Sequence, residues 1–231
     1  MKPSVTVEVD AVRVLSGEDR MAMERLYRAY YEGAFEADFV RDFDAKDAVI
    51  VLREEGAVCG FSTFKVLSVA GMTILFSGDT VVDARCRGQV GLAGAFGHVM
   101  ARLNREYDPD SLYWFLICKG ARTYRFLPTF FKRYVPGPTP DDMLEKQLRS
   151  VAAAMFPVEY EPEAGVLRFS RCKDRLRSDA LRGDRESVRF RTLNPGWTAG
   201  EELCCLAPLR MDNLNARGRR VIESTCPIWN W

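Results

Sequence analysis

The sequence RCRGQVGLAGAFGH, residues 85–98, follows an apolar run (MTILFSGDTVV, residues 72–82) and has the composition of a helix that opens on glycines. Each glycine inside a helix costs roughly 1 kcal/mol relative to alanine, and a three-residue spacing places Gly91, Gly94 and Gly97 near one ridge of the helix surface. Something must therefore approach this ridge closely. The two candidates are an anionic ligand at the helix N-terminus and a tightly packed sheet; the arginines just before the turn favour the ligand.

The composition is that of an ordinary soluble globular protein, with 231 residues, 47% of them hydrophobic and 28% charged. This length suits one large domain or two small ones. A net charge of +1 argues against wholesale binding of nucleic acid, which needs a dominant basic surface. A basic strip over residues 168–191 could meet a phosphate-rich ligand or an acidic carrier protein, although such runs are more often solvated faces.

The seven cysteines show no paired CxxC spacing and have few neighbouring histidines, so neither a metal site nor a disulfide framework is expected. We expect these cysteines to be free thiols, kept reduced in a cytosol. The N-terminal sequence MKPSVTVEVD lacks an apolar core, and no stretch reaches 18 apolar residues. We therefore expect a cytoplasmic protein without a membrane span.

Hydrophobic periodicity gives an order of elements. Alternation predicts a first strand from Val5, and a capping pair at Ser16 predicts a helix to about Tyr31. Short turns carrying glycine separate three antiparallel strands over 48–53, 58–67 and 72–82. The glycine-opened helix then runs to about residue 107, before a buried central strand over 112–118. Further elements are a helix over 121–134 that Pro128 interrupts, a helix over 141–156, and strands over 166–169 and 201–206.

This order, together with VVDARCRGQVGLAGAF over residues 81–96, resembles the GNAT-type (acyl-CoA N-acyltransferase) superfamily over about residues 5–206. The resemblance implies an α/β (α+β) fold with a central mixed, mostly antiparallel sheet flanked by helices. It also implies a domain over 1–210 with a helical insertion at about 136–160. Residues 211–231 would then be a C-terminal helical extension packed on the same domain.

In that family the end of the strand pairs with the pantetheine arm of acyl-CoA, and the N–H groups of the following turn hold the pyrophosphate. The resemblance therefore implies Val82 as the pantetheine position. The turn that it implies for the phosphates consists of Arg87, Gly88, Gln89, Val90, Gly91, Leu92 and Ala93. This turn is atypical, because Val90 and Leu92 stand where the family has small residues.

The resemblance also implies catalytic groups. The family often takes the acid that protonates the leaving thiolate from a tyrosine on the helix after the buried strand, and Tyr124 fits better than Tyr134; alternatively, Tyr124 is a core residue. Gly78 interrupts an apolar strand and predicts a bulge, which in the family frees a backbone N–H toward the thioester carbonyl. Asp79 beside it is either a base or amine-binding group, or a residue that satisfies the backbone groups freed by the bulge.

Two further side chains lie near these positions. Lys119, directly after the buried strand, could meet a phosphate or an acidic acceptor, but it also fits a surface lysine. His98 is the only histidine and is expected to pack against a neighbouring element rather than to act as a base. Covalent catalysis by Cys86 or Cys118 is a minor option, because nothing nearby lowers a thiol pKa.

The sequence thus predicts an acyltransferase that moves an acyl group from a thioester donor to an amine acceptor on a small molecule or peptide, without a metal. The donor is acyl-CoA or an acyl-carrier protein; an acidic carrier protein would suit the basic strip. The alternative is a GNAT-like binding module that does not catalyse and has lost CoA. A third hypothesis, an acceptor linked to nucleic acid, rests only on the basic strip.

Overall fold

The computed structural model describes residues 5–32, 36–87, 91–169, 175–176 and 183–231. The strands are β1 (Val5–Ala11), β2 (Tyr31–Glu32), β3 (Ala48–Glu54), β4 (Ala57–Val69), β5 (Met72–Val82), β6 (Leu112–Cys118), β7 (Tyr160–Glu161), β8 (Val166–Leu167), β9 (Arg175–Leu176), β10 (Glu202–Pro208) and β11 (Ile228–Asn230). The helices are α1 (Gly17–Tyr30), α2 (Glu36–Asp44), α3 (Gly91–Glu106), α4 (Ala121–Tyr124), α5 (Phe126–Phe130), α6 (Asp142–Met155), α7 (Arg185–Leu193) and α8 (Ala216–Glu223).

Within these described residues, nine strands form one sheet in the order β11-β1-β3-β4-β5-β6-β10-β8-β7, while β2 and β9 pair separately. Neighbouring strands are antiparallel except for β1 with β11 and β5 with β6. Helices cover both faces of the sheet. The predicted fold class, a mixed and mostly antiparallel sheet flanked by helices, is confirmed.

Two-residue turns create the central meander of β3, β4 and β5. Glu55 and Gly56 join the first pair of strands, with φ of 50° and 84°, and Ala70 and Gly71 join the second, with φ of 50° and 77°. Positive φ at both central residues is the geometry of the tight hairpin turn that matches strand twist. Glycine at the second position adopts it without the steric cost that a side chain would add.

Helix α3 connects β5 to β6. This crossover connection allows the two strands to run parallel. Strand β6 is buried on both faces, as its uninterrupted apolar sequence predicts. Leu112, Trp114 and Leu116 join the core beneath α3, whereas Tyr113 and Phe115 join the core beneath α6. Alternate side chains of β6 thus pack into the cores on opposite faces of the sheet.

Three regions differ from the sequence-based expectation. Helix α2 was not predicted; its Phe39 and Phe43 pack on Phe61 across the sheet face. The helix expected over 121–134 is two short helices that end at Phe130, because the chain then forms bridges to residues 206 and 214. Residues 211–231 contain α8, which packs on α3, and also β11, which extends the sheet.

The longest described helix, α3, has 16 residues. Within the ranges that the structure describes, no helix has both the length and the apolar character needed to cross a membrane.

Candidate functional site

Strands β5 and β6 separate partway along their length. They pair in parallel from Thr73 and Leu112 up to Ser77 and Leu116. Beyond this point β5 continues to Val82 along β4, while the end of β6 stays paired with β10. The backbone edge of β5 after Ser77 therefore has no strand partner on the β6 side in the described structure, and a cleft opens there.

A β-bulge in β5 lies where the separation begins. Ser62 pairs with Thr80 and Phe64 pairs with Ser77, so the two residues between them on β5 stand opposite Thr63 alone. The bulge predicted at Gly78 is confirmed. A Cβ at this position would lie 2.5 Å from Cε of Lys46 and 2.6 Å from Oγ1 of Thr63, so these neighbours leave no room for a side chain. The extra residue bends the strand, which helps to open the cleft.

The cleft has a volume of about 650 Å³ and is bordered by the end of β5, the start of α3, α4, α5 and one residue of α8. Five cationic side chains line it: Arg87, Lys119, Arg122, Arg125 and Arg217. No carboxylate is among its lining residues in the part of the chain that the structure describes. A concave surface lined by cationic side chains attracts anions.

Carboxylates behind the cleft orient two of these cations. Nζ of Lys119 lies 3.5 Å from Oε1 of the buried Glu202 and 5.1 Å from the centre of the Tyr31 ring. Arg125 donates from Nη2 to Oδ2 of Asp184 at 2.6 Å and to the hydroxyl of Ser187 at 2.8 Å. These contacts fix the cations at the wall of the cleft.

Arg87 lies at the mouth of the cleft on the backbone of the strand end. Its Nε donates to the carbonyl of Val82 at 2.9 Å, and its guanidinium lies 4.7 Å from the centre of the Tyr30 ring. The Tyr30 hydroxyl in turn accepts from the N–H of Ala84 at 2.8 Å. Arg87 thus makes a hydrogen bond to a backbone carbonyl that an extended ligand running along β5 would use.

Hydroxyl groups lie at the inner end of the cleft. The hydroxyls of Ser62 and Thr80 are 2.8 Å apart, so only one of their two protons is used between them. Ser77 accepts from Nε1 of Trp114 at 3.0 Å, which leaves the serine proton able to donate to a ligand. All four residues line the cleft.

The structure brings part of the expected donor site together. Val82, Arg87, Leu92 and Ala93 all line the cleft. The expected positions Gly88, Gln89 and Val90 lie outside the described residues. Gly91 instead faces the sheet, because a Cβ there would lie 2.7 Å from Cγ2 of Val7 and 3.6 Å from Cδ2 of Leu52.

The glycine ridge of α3 is explained by packing. A Cβ on Gly94 would overlap Thr225, and one on Gly97 would overlap Ile222. The neighbour that the spacing requires is therefore α8 with the residues after it, rather than the ligand favoured from the sequence. His98 is part of the same interface, since its Nε2 lies 2.6 Å from the carbonyl of Thr225, which confirms the prediction that it packs against a neighbouring element.

Tyr124 is placed away from the cleft. Its side chain is fully buried, and its hydroxyl donates to the carbonyl of Pro136 at 2.9 Å and accepts from Nε of Arg189 at 3.0 Å. Burial raises the pKa of this phenol above its ordinary value, although Arg189 opposes the shift. This differs from the expectation of an acid, because α4 is a single turn that directs the ring into the core toward α7.

The other expected groups either do not line the cleft or are unreactive. Neither Gly78 nor Asp79 is among its lining residues. Cys86 does line it, but burial raises the pKa of its thiol, as it does for Cys59, whose pKa rises to about 12. Thiols of this kind are protonated and poor nucleophiles. In the basic strip over 168–191 that prompted the carrier-protein hypothesis, residues 170–174 and 177–182 lie outside the described residues.

Sequence reasoning missed several groups that shape the cleft. Tyr30, Arg122 and Arg217 come from α1, α4 and α8, which are far apart in the chain. The sequence did contain a signal for Arg122: like Lys119, this residue closely follows the buried strand β6. Nothing in the sequence associates Arg217 with them, because α8 reaches the cleft only through its packing on α3 and α5.

No model of a known protein family matches the chain, and a search of curated proteins finds no match. Among solved structures, the chain is similar to the GNAT family N-acetyltransferase YhbS from Escherichia coli in complex with CoA, with 23% identity and a TM-score of 0.41 over 56% of this chain and 71% of that chain. It is similar to a GNAT family acetyltransferase from Brucella melitensis in complex with acetyl-CoA, with 17% identity and a TM-score of 0.37 over 55% and 83%. It is also similar to FeeM, an N-acyl amino acid synthase from uncultured soil microbes, with 14% identity and a TM-score of 0.41 over 56% and 80%.

Two of these three structures are GNAT family enzymes, the family that the sequence resembles.

Proposed function

We propose that this protein is a GNAT-type acyltransferase that moves an acyl group from acyl-CoA to an amine on a small molecule or peptide. The observation that carries the proposal is the cleft between β5 and β6, which five cations line without a carboxylate among its described lining residues. Acyl-CoA is an extended molecule with phosphate groups at one end and a thioester at the other. A cleft with a basic mouth and a hydroxyl-lined inner end matches both ends.

The phosphates would meet Arg87, Lys119 and Arg122, together with the first turn of α3 at Leu92 and Ala93. Arginine suits this role because its planar guanidinium donates two parallel hydrogen bonds to a phosphate. The free backbone N–H groups at the start of a helix add a favourable dipole. The turn over residues 88–90, expected to supply further N–H groups, remains part of the proposal.

The pantetheine arm would lie along β5. The edge from Thr80 to Val82 lacks a strand partner on the β6 side in the described structure, so its N–H and C=O groups can pair with an extended ligand as they would with a strand. The carbonyl of Val82 accepts a hydrogen bond from Nε of Arg87. Binding would therefore release Arg87 from this carbonyl and turn its guanidinium toward a phosphate.

The transfer itself is an attack of the amine nitrogen on the thioester carbonyl carbon. The C–N bond forms and the C–S bond breaks, the bonding pair leaves with sulfur, the nitrogen gives up a proton to a base or water, and the thiolate takes one up. The hydroxyls of Ser77 and of the Ser62 and Thr80 pair would donate to the carbonyl oxygen as charge develops on it.

Ligand-induced stabilisation and thiol release test the proposal together. Acyl-CoA should raise Tm, because a ligand that binds only the folded state stabilises it, and a panel of amines should release free CoA thiol. Arg122→Gln should weaken acyl-CoA binding, whereas Arg149→Gln should not, because Arg149 lies on α6 outside the cleft. Absence of a Tm shift with any acyl-CoA at millimolar concentration would exclude the proposal. Binding without thiol release for any amine would instead support the non-catalytic binding module.

A further inference from the structure

The cleft contains more aromatic surface than an acetyl group needs. Four aromatic side chains line it, and we call them the aromatic wall: Phe96, Trp114, Phe126 and Phe130. The Phe96 and Trp114 rings lie 4.5 Å apart between their centres, and those of Phe126 and Phe130 lie 5.6 Å apart. Trp114 is buried, but the three phenylalanines are only half-buried, so part of each ring faces open space.

Aromatic rings exposed in a concave site gain free energy when an apolar group covers them. Most of an acyl-CoA molecule cannot do so, because its phosphates are charged and its pantetheine arm is rich in amides. An acetyl group offers a single methyl. The adenine base could also stack on aromatic rings, but it lies at the phosphate end of the ligand, so the group that can cover rings beside the thioester is the acyl chain.

The position of the hydroxyls connects the acyl chain to this wall. Ser77 is the last residue of β5 paired with β6, and it accepts a hydrogen bond from Nε1 of Trp114 at 3.0 Å. A thioester carbonyl that accepts from the Ser77 hydroxyl would therefore stand beside the indole. The first carbons of the acyl chain would then lie against Trp114, whose ring is in contact with that of Phe96.

Building on the proposed function, we propose that the donor is an acyl-CoA whose chain is longer than acetyl and lies against the aromatic wall. Affinity should then rise with chain length until the wall is covered. Each buried methylene strengthens binding about fourfold, the equivalent of about 0.8 kcal/mol. The gain should be about fifteenfold from acetyl-CoA to butanoyl-CoA, and larger again for hexanoyl-CoA.

The test is a set of dissociation constants, measured by calorimetry on the full-length protein for CoA, acetyl-CoA, butanoyl-CoA, hexanoyl-CoA and octanoyl-CoA. The same series is measured for Phe96→Ala, and for Phe96→Leu as a milder change that preserves packing. Phe169→Ala is the matched control, because Phe169 is partly exposed and packs on Phe156 away from the cleft.

We expect a steep rise in affinity with chain length for the wild type and the control, and a flatter rise for both Phe96 variants. Equal affinity for all chain lengths in the wild type would overturn the inference while leaving acyl-CoA binding intact. An equal loss for CoA and every acyl-CoA in the Phe96 variants would also overturn it, since the wall would then serve the pantetheine or the adenine. Failure of every CoA species to bind would overturn the proposed function itself, and this inference with it.

Discussion

Gly97→Ala tests whether the glycine ridge is a packing device. Gly97 lies on α3 directly against α8, and a Cβ built on it would overlap Cγ1 and Cδ1 of Ile222. An added methyl group therefore has no space unless α8 shifts or the isoleucine changes rotamer. The same substitution in an exposed helix would be stabilising. Packing against α8 therefore predicts a loss of stability, whereas helix propensity alone predicts a gain.

The magnitude follows from two opposing effects. Replacing glycine by alanine within a helix gains about 1 kcal/mol of helix propensity, whereas forcing a methyl group into filled space costs about 1–3 kcal/mol. Because two carbons of Ile222 are overlapped, the upper half of that range applies, and the free energy of unfolding should fall by about 1–2 kcal/mol. In an Ile222→Ala background the overlap is gone, and the propensity gain should reappear.

Urea denaturation of the two single variants and the double variant measures this as a coupling energy, expected at about 2–3 kcal/mol. Gly17→Ala is the control, since no atom lies within 4 Å of a Cβ at that position, and it should cause no loss. Acyl-CoA affinity of Gly97→Ala should equal that of the wild type. A gain in stability from Gly97→Ala alone, or strict additivity of the two substitutions, would refute the packing of α8 on this ridge.

Three further substitutions give separate outcomes. Tyr124→Phe should lower the free energy of unfolding by about 1 kcal/mol, because the part-buried carbonyl of Pro136 loses its donor, and should leave kcat unchanged; a large fall in kcat with normal stability would restore the tyrosine as an acid. Cys86→Ala should retain turnover, measured by thiol release, because burial raises the pKa of this thiol and keeps it protonated; loss of turnover in a folded variant would indicate covalent catalysis. Hydrogen bonds from Arg53 hold the pKa of Asp19 below its ordinary value, so the stability this carboxylate contributes is present above about pH 4 and is lost as the pH falls through its lowered folded pKa. Asp19→Asn should make urea-unfolding stability less dependent on pH in that range, and an unchanged acid dependence would contradict this origin.

Short sequence patterns predicted the elements whose structure depends on neighbouring residues in the chain. Gly56 and Gly71 marked the two tight turns of the meander, and the structure places both at positive φ. Gly78 marked the bulge, because a glycine inside an apolar strand has no side chain to contribute to packing. The apolar run of β6 predicted a strand buried on both faces, which the structure confirms.

Contacts between distant segments decided the rest. The glycine spacing of α3 showed that something approaches closely, but not that the partner is α8, which follows it by more than a hundred residues in the chain. Helix α4 is too short for periodicity to show which way Tyr124 points. The basic cleft likewise depends on tertiary packing, because α8 brings Arg217 to side chains from β6 and α4.

A structure of the protein with bound CoA tests the central claim most directly. The account predicts an extended pantetheine arm between the β5 edge at Thr80–Val82 and the end of β6, with Arg87 released from the Val82 carbonyl and turned toward a phosphate. Lys119 and Arg122 should contact the same ligand from the opposite wall. CoA bound elsewhere on the protein, with the cleft between β5 and β6 unchanged and Arg87 still on Val82, would contradict the assignment of this cleft as the acyl-donor site.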